Sequence, residues 1–205
     1  MDPLDAIRNS VRKIMHLLAV GLNKLSGGKL TPNTVTIVGL LAHLPIAYLI
    51  ATRHNLKAAA LLVIFGLFDT LDGELARLQK RDSPAGMLLD ASTDRMKEVM
   101  LYTGAAYAIS SGVHSQFAAW AVVACGASLT VSYVKAKGET AVAKSRLSAS
   151  QVNHLFADGL MRFEVRMATL VVGLLANRLI AALIFIGMMS SVTALTRLVK
   201  ISRKI

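Results

Sequence analysis

Residues 58–68 carry no charged or polar side chain, and the residue that follows them is Asp69. Asp72 comes three later, and Asp90 and Asp94 stand in the first turns of a further segment that runs apolar to about residue 109. Wherever water is excluded, a chain must satisfy its backbone polar groups within itself, so runs of this kind become buried or membrane helices. Carboxylates at the ends of such helices need a cation or a ligand, because an isolated buried charge is expensive to maintain.

On a helix, residues three or four apart share a face, so Asp69 pairs with Asp72 and Asp90 pairs with Asp94. Brought together, the two pairs form a cage of hard oxygen ligands. Magnesium and manganese prefer such oxygens, and two ions roughly 3.5–4 Å apart clamp both ends of a phosphoryl displacement. Gly73 leaves no side chain beside Asp72, so a ligand can approach the backbone there. Arg77, one turn beyond, presents a planar fork of donors suited to a phosphate oxygen. Any one of these residues alone reads as a solvated helix end, whereas all of them together point to a built site.

These residues fit the pattern Asp-x2-Asp-Gly-x2-Ala-Arg-x8-Gly-x3-Asp-x3-Asp through Asp69, Asp72, Gly73, Ala76, Arg77, Gly86, Asp90 and Asp94. The stretch resembles the signature of the CDP-alcohol phosphotransferase family, with no position departing from it. The resemblance implies a membrane enzyme that moves a phosphatidyl-type group from a CDP-linked lipid, diacyl or archaeal, to an alcohol and releases CMP. It implies that Asp69, Asp72 and Asp90 bind one metal ion, that Asp69, Asp90 and Asp94 bind a second, and that Asp94 is general base on the acceptor hydroxyl. It further implies a nucleotide pocket lined by Asp69, Gly73, Ala76, Arg77 and Gly86. Pro32-Asn33-Thr34-Val35-Thr36 resembles the family's Pro-Asn-x-x-Thr opening of its first helix, which adds Asn33 and Thr36 to that pocket. A helix cap on Asn33 or Thr34 is the plain alternative for this segment.

Of the 205 residues, 54% are hydrophobic and only 17% are charged, more apolar content than a soluble core of this size needs. A single polytopic membrane domain over residues 1–205 is expected, with residues 4–25 as a juxtamembrane helix and 33–200 as a six-helix core. The net charge of +11 is compatible with nucleic acid, but aromatic residues make up only 5% and no basic stripe interleaves them for base stacking. The charge suits anionic lipid or phosphorylated substrates instead. The single cysteine, Cys125, lies in an apolar run and forms no intrachain disulfide. Met1-Asp2-Pro3 gives no basic lead into an apolar core, so no cleavable signal peptide is expected.

Within residues 4–25, Leu4, Ile7, Val11, Ile14, Leu18, Leu22 and Leu25 share a helical face, with Arg8, Arg12 and Lys13 elsewhere. Such a helix lies on an anionic membrane surface or packs on its own protein. The turn Ser26-Gly27-Gly28 ends it. Six spans are then expected near residues 35–51, 58–69, 86–109, 117–134, 160–176 and 179–195, with a polar connection over 135–159. With the N-terminus inside, Arg53, Lys57 and Arg178 are the only members of the 23 Lys and Arg on the outer side. That asymmetry puts both termini and the four aspartates on the cytoplasmic face. The expected location is a prokaryotic plasma membrane.

Lys135 and Lys137 end the fourth span, and Arg162 and Arg166 are four apart on the fifth, beside Glu164. Lys135, Arg162 and Arg166 suit an anion pocket for a phosphorylated acceptor, with ordinary positive-inside flanking as the alternative for the lysines. Ser132-Tyr133-Val134-Lys135-Ala136-Lys137 and Arg162-Phe163-Glu164-Val165-Arg166 resemble the branch of the family that uses inositol phosphate, from which Val134, Lys137, Gly138 and Phe163 depart. Inositol phosphate is the expected acceptor and glycerol 3-phosphate the runner-up. A cation-binding protein or channel lined by carboxylates is the competing class, but its path would continue polar residues outward, and the outer halves of the spans are nearly all apolar. Gly104, Ala108 and Gly112 permit close helix approach, within a subunit or across the homodimer that the resemblance implies. His43 reads as a satisfied core histidine, and His154 has no partner at metal spacing.

Overall fold

The computed structural model describes residues 3–143 and 160–203, which form helices and turns with no strand among them. In chain order these are α1 (Pro3–Leu25), α2 (Pro32–Ala51), α3 (Asn55–Gly66), α4 (Phe68–Gln79), α5 (Pro84–Ser110), a 3-10 turn (Ser115–Phe117), α6 (Ala119–Ala143), α7 (Phe163–Leu175) and α8 (Leu179–Ser202). Most of the expected polar connection, with His154, lies outside the described residues.

Among the described residues, three helices are long and apolar enough to cross a membrane: α2, the stretch Ser115–Ala141 that contains most of α6, and α8. The other expected spans fall short for visible reasons. The α3 helix stops at Gly66 after 12 residues and α7 has 13, while α5, at 27 residues, carries Asp90, Asp94, Arg95, Lys97 and Glu98 along its length.

Three expected boundaries are corrected. The signature does not prolong the second apolar helix, because the chain turns at Leu67 after the poor helix former Gly66, and Asp69 stands in the first turn of a separate α4. The fourth run does not stop at residue 134, because alanines, lysines and Glu139 keep α6 helical to Ala143. Arg162 is not inside the fifth helix: it is the extended residue (ψ 165°) before α7, whose first turn carries Glu164, the charge a helix N-terminus favours.

Helices α1, α2, α4 and α7 close alike, on a left-handed residue at Gly27, Arg53, Lys80 and Asn177. The next N–H reaches back five residues in each case: Gly28 to Asn23 O at 2.9 Å, His54 to Leu49 O at 2.8 Å, Arg81 to Ala76 O at 2.9 Å and Arg178 to Gly173 O at 2.8 Å. These closures set the short turns between helices.

The chain divides into two compact units, Met1–Tyr48 with Ala60–Met100, and Leu49–Ala59 with Leu101–Ile205. In the first, α1 packs on α4 around a core of Met15, Ala19, Val35, Leu71 and Leu75, with Val11 and Leu22 at its edge. Gln79 Nε2 ties the end of α4 to Asn23 Oδ1 and to the Leu30 carbonyl, both at 2.8 Å. The apolar surface of α1 is therefore shared, since Ile14, Leu17, Leu18 and Leu25 remain exposed. His43 is buried with Nδ1 2.7 Å from the Gly39 carbonyl, a satisfied core histidine as expected.

In the second unit, α6 and α7 each pack on α8. At Gly187 a Cβ would stand 3.1 Å from Val123, so glycine permits the close approach of α8 to α6. Arg53 lies against Gly112 and donates to the Ala108 carbonyl at 3.0 Å, so this end of the small-residue stripe accommodates an arginine.

Candidate active site

The four signature aspartates all belong to the first unit. Asp69 and Asp72 come from α4, and Asp90 and Asp94 from α5. Carboxylate oxygens of Asp69, Asp72 and Asp90 lie within 4.8 Å of one another. Asp72 is 6% exposed and accepts a 2.6 Å hydrogen bond on Oδ2 from the hydroxyl of Thr36, on α2. Asp90 Oδ1 is buried without a hydrogen-bond partner. Three converging carboxylates with an unsatisfied buried oxygen fit a hard divalent cation such as magnesium or manganese.

Asp94 does not join that group of three. Its Oδ1 accepts from the ammonium of Lys97 at 3.2 Å, and the same ammonium donates to Asp69 Oδ1 at 2.5 Å. Arg95 Nη2 stands 3.7 Å from Asp94 Oδ2 and 3.2 Å from Oε1 of the fully buried Glu98. Lys97 and Glu98 are not among the expected site residues. Lys97 had a signal, since it follows Asp94 by three residues on the same helix.

The space beside Gly73 is taken by Arg77. A Cβ at Gly73 would stand 3.6 Å from Arg77 Nη2, so the guanidinium folds back across the glycine to donate to Glu74 Oε1 at 2.6 Å. Glu74 also accepts from Arg12 Nε at 2.9 Å, and its Oε2 lies 3.2 Å from His16 Nδ1. Burial pushes the Glu74 carboxyl up, but the hydrogen bonds from Arg12, Arg77 and His16 outweigh it and hold the group at about 2, below its ordinary 4.5. Arg77, the expected phosphate ligand, is thus oriented by α1 through Glu74.

The α2 opening is capped by neither Asn33 nor Thr34. Thr31 Oγ1 accepts the Thr34 N–H at 3.2 Å, which leaves Asn33 and Thr36 to other work. Thr36 supports Asp72 as above. Asn33 stands beside Gly86: a Cβ there would meet Ser83 Oγ at 3.2 Å and Asn33 Oδ1 at 3.7 Å, and the Gly86 N–H donates to Ser83 Oγ at 3.1 Å. Ala76 is half-buried one turn beyond Asp72.

The expected anion ligands belong to the second unit. Arg166 is 1% exposed and donates to the Met161 carbonyl at 2.8 Å, whereas Arg162 is exposed. Lys135 is exposed on α6, 3.9 Å from Glu139. Arg197 of α8, absent from the expected anion ligands, is 4% exposed and within electrostatic reach of both Arg166 and Arg162.

A family model described as CDP-alcohol phosphatidyltransferase matches residues 29–197. The chain belongs to that family. It is 37% identical over 143 residues to the phosphatidylinositol phosphate synthase of Corynebacterium glutamicum, covering 67% of this chain and 59% of that protein. It is 31% identical over 103 residues to the archaetidylinositol phosphate synthase of Pyrococcus horikoshii, covering 50% of this chain and 53% of that one. The chain spans a little over half the length of these two curated relatives. Its fold matches the crystal structure of Mycobacterium tuberculosis phosphatidylinositol phosphate synthase with CDP-DAG bound, at a TM-score of 0.78 and 24% identity, covering 92% of this chain and 94% of that one. The same protein in complex with manganese and citrate matches at 0.78, covering 92% and 88%.

Proposed function

We propose that this family member transfers a phosphatidyl-type group from a CDP-linked lipid to a hydroxyl of inositol phosphate and releases CMP. The convergence of Asp69, Asp72 and Asp90, with Asp72 held by Thr36 from the Pro-Asn helix, carries the reading. The branch is supported by relatives named for inositol phosphate lipids.

Asp69, Asp72 and Asp90 would hold one magnesium or manganese ion, and Asp69, Asp90 and Asp94 a second, and such ions neutralise charge on the diphosphate and on departing CMP. Asn33, Thr36, Gly73, Ala76, Arg77 and Gly86 bind and orient the nucleotide. The acceptor oxygen bonds to the lipid-bearing phosphorus as the bond to CMP breaks, and Asp94 takes the hydroxyl proton. Arg162, Arg166 and Arg197, with Lys135, take the acceptor phosphate through charge-assisted hydrogen bonds.

The whole chain acts as one membrane domain with six spans, in a homodimer, with its site and termini cytoplasmic. The exposed Ile14, Leu17, Leu18 and Leu25 of α1 face the membrane surface. The test is CMP release by purified protein with magnesium and a CDP-lipid, against free inositol, serine, inositol phosphate and glycerol 3-phosphate. Inositol phosphate is expected to be the best acceptor. Equal turnover with free inositol removes the anion pocket, preference for glycerol 3-phosphate moves the protein to another branch, and ion flux through liposomes without any CDP-lipid would make it a channel.

A further inference from the structure

Lys97 is 1% exposed, and its ammonium stands 2.5 Å from Asp69 Oδ1 and 3.2 Å from Asp94 Oδ1. Those are two of the three carboxylates assigned above to the second ion. The set for the first ion shares only Asp69 with this pair. An ammonium and a divalent metal ion seek the same carboxylate oxygens and repel each other at short range, so one position cannot hold both. The arrangement is built into the fold: Asp94 precedes Lys97 by one turn of α5, the favourable order for a helical ion pair, and Asp69 faces it from α4.

Resting on the metal assignment proposed above, we infer that Lys97 is an internal cation that occupies the second metal position. The free protein then takes up one divalent ion at Asp69, Asp72 and Asp90, and admits a second only when the ammonium swings away. The same movement releases Asp94 Oδ1 to accept a proton. A diphosphate arriving beside the cluster adds negative charge and favours the exchange of a single positive charge for a double one. Lys97 thus orders the assembly of the site: first ion, departure of the ammonium, second ion with the base exposed.

The test is a manganese titration of the full-length protein in detergent without substrate, counting free ion by electron paramagnetic resonance and bound pairs by their spin-coupled spectrum. Wild-type protein is expected to bind one ion tightly and a second about tenfold or more weakly, the factor that follows if the ammonium is displaced in a tenth of molecules or fewer. K97M and K97Q are expected to bind the second ion nearly as tightly as the first and to give the coupled signal, while K97R behaves as wild type. Two equally tight ions in wild-type protein overturn the inference, as does a second ion that binds K97Q no better than wild type. K97Q fills similar space and keeps a hydrogen-bond donor, so it carries the comparison if K97M does not fold, and the wild-type titration stands without either. Undiminished tight binding by D72N would instead remove the metal assignment itself.

Discussion

The carboxylate cluster of the first unit and the arginine cluster of the second differ in electrostatic plan. Around the carboxylates, opposite charges are supplied from within: Lys97 for Asp69 and Asp94, Arg95 for Asp94 and Glu98, and Arg12 and Arg77 for Glu74. Around the arginines, Arg197 lies within electrostatic reach of Arg166 and Arg162 and also of Glu139, and Arg166 and Arg197 are buried. A cluster that carries its own counterions is held in shape before any ligand arrives. Arginines brought within reach of one another favour an anionic ligand. The first plan suits chemistry that needs fixed oxygens, and the second suits recognition.

The comparison breaks most sharply at Asp94 and Asp72. D94N is expected to lower CMP release by roughly 10²–10⁴-fold, the usual weight of a general base, while nucleotide binding persists. D72N or chelation of divalent ions is expected to abolish turnover outright. Assays of turnover beside nucleotide binding separate these outcomes, and an active D94N protein would remove the base assignment.

Next in size are the arginines. R166A or R197A is expected to raise KM for inositol phosphate by about 10–100-fold, from the loss of a charge-assisted hydrogen bond, with KM for the CDP-lipid little changed. Equal effects on both substrates would mean that these arginines serve the fold rather than the acceptor. R162A, at an exposed position, is expected to do less.

A smaller effect is expected at Thr36, because its hydroxyl supports Asp72 without being charged. T36V is expected to weaken the first manganese site by about tenfold, from an acceptor left unsatisfied, and T36S to restore it. Titration of the two variants side by side decides the matter.

Smallest is Glu74, whose half-exposed partners limit what the clamp contributes. E74Q is expected to lower stability by about 1–2 kcal/mol at neutral pH. The folded carboxyl lies at about 2 and the ordinary value is 4.5, so its contribution is complete above about pH 4.5 and is lost as pH falls toward 2. Thermal unfolding of wild type and E74Q at pH 7 and pH 3 should therefore differ less at the lower pH. A constant difference would place the clamp's effect elsewhere.

Much of the first cluster was legible in the chain because its members are close in sequence. Asp69 and Asp72 share α4, Asp90 and Asp94 share α5, and helical spacing alone puts each pair on one face. Elsewhere the local chemistry is ambiguous. Thr31 rather than Asn33 or Thr34 caps α2, and Arg162 precedes its helix instead of lying within it. Several hydroxyl and amide side chains near a helix start compete for the same backbone donors, and composition does not rank them. Arg197 was passed over because a basic residue near the end of an apolar helix is ordinary flanking until its burial is seen.

The sequence by itself determined the helical class, the acidic signature and the family, because hydropathy and helical period act over a few residues and survive any packing of the helices. Tertiary structure decided which side chains meet across long separations. Thr36 reaches Asp72 over 36 residues, Lys97 reaches Asp69 over 28, and Arg12 reaches Glu74 over 62. Each contact depends on how one helix packs beside another and on which rotamer brings opposite charges together once water is excluded, and neither is written in the spacing of a single segment.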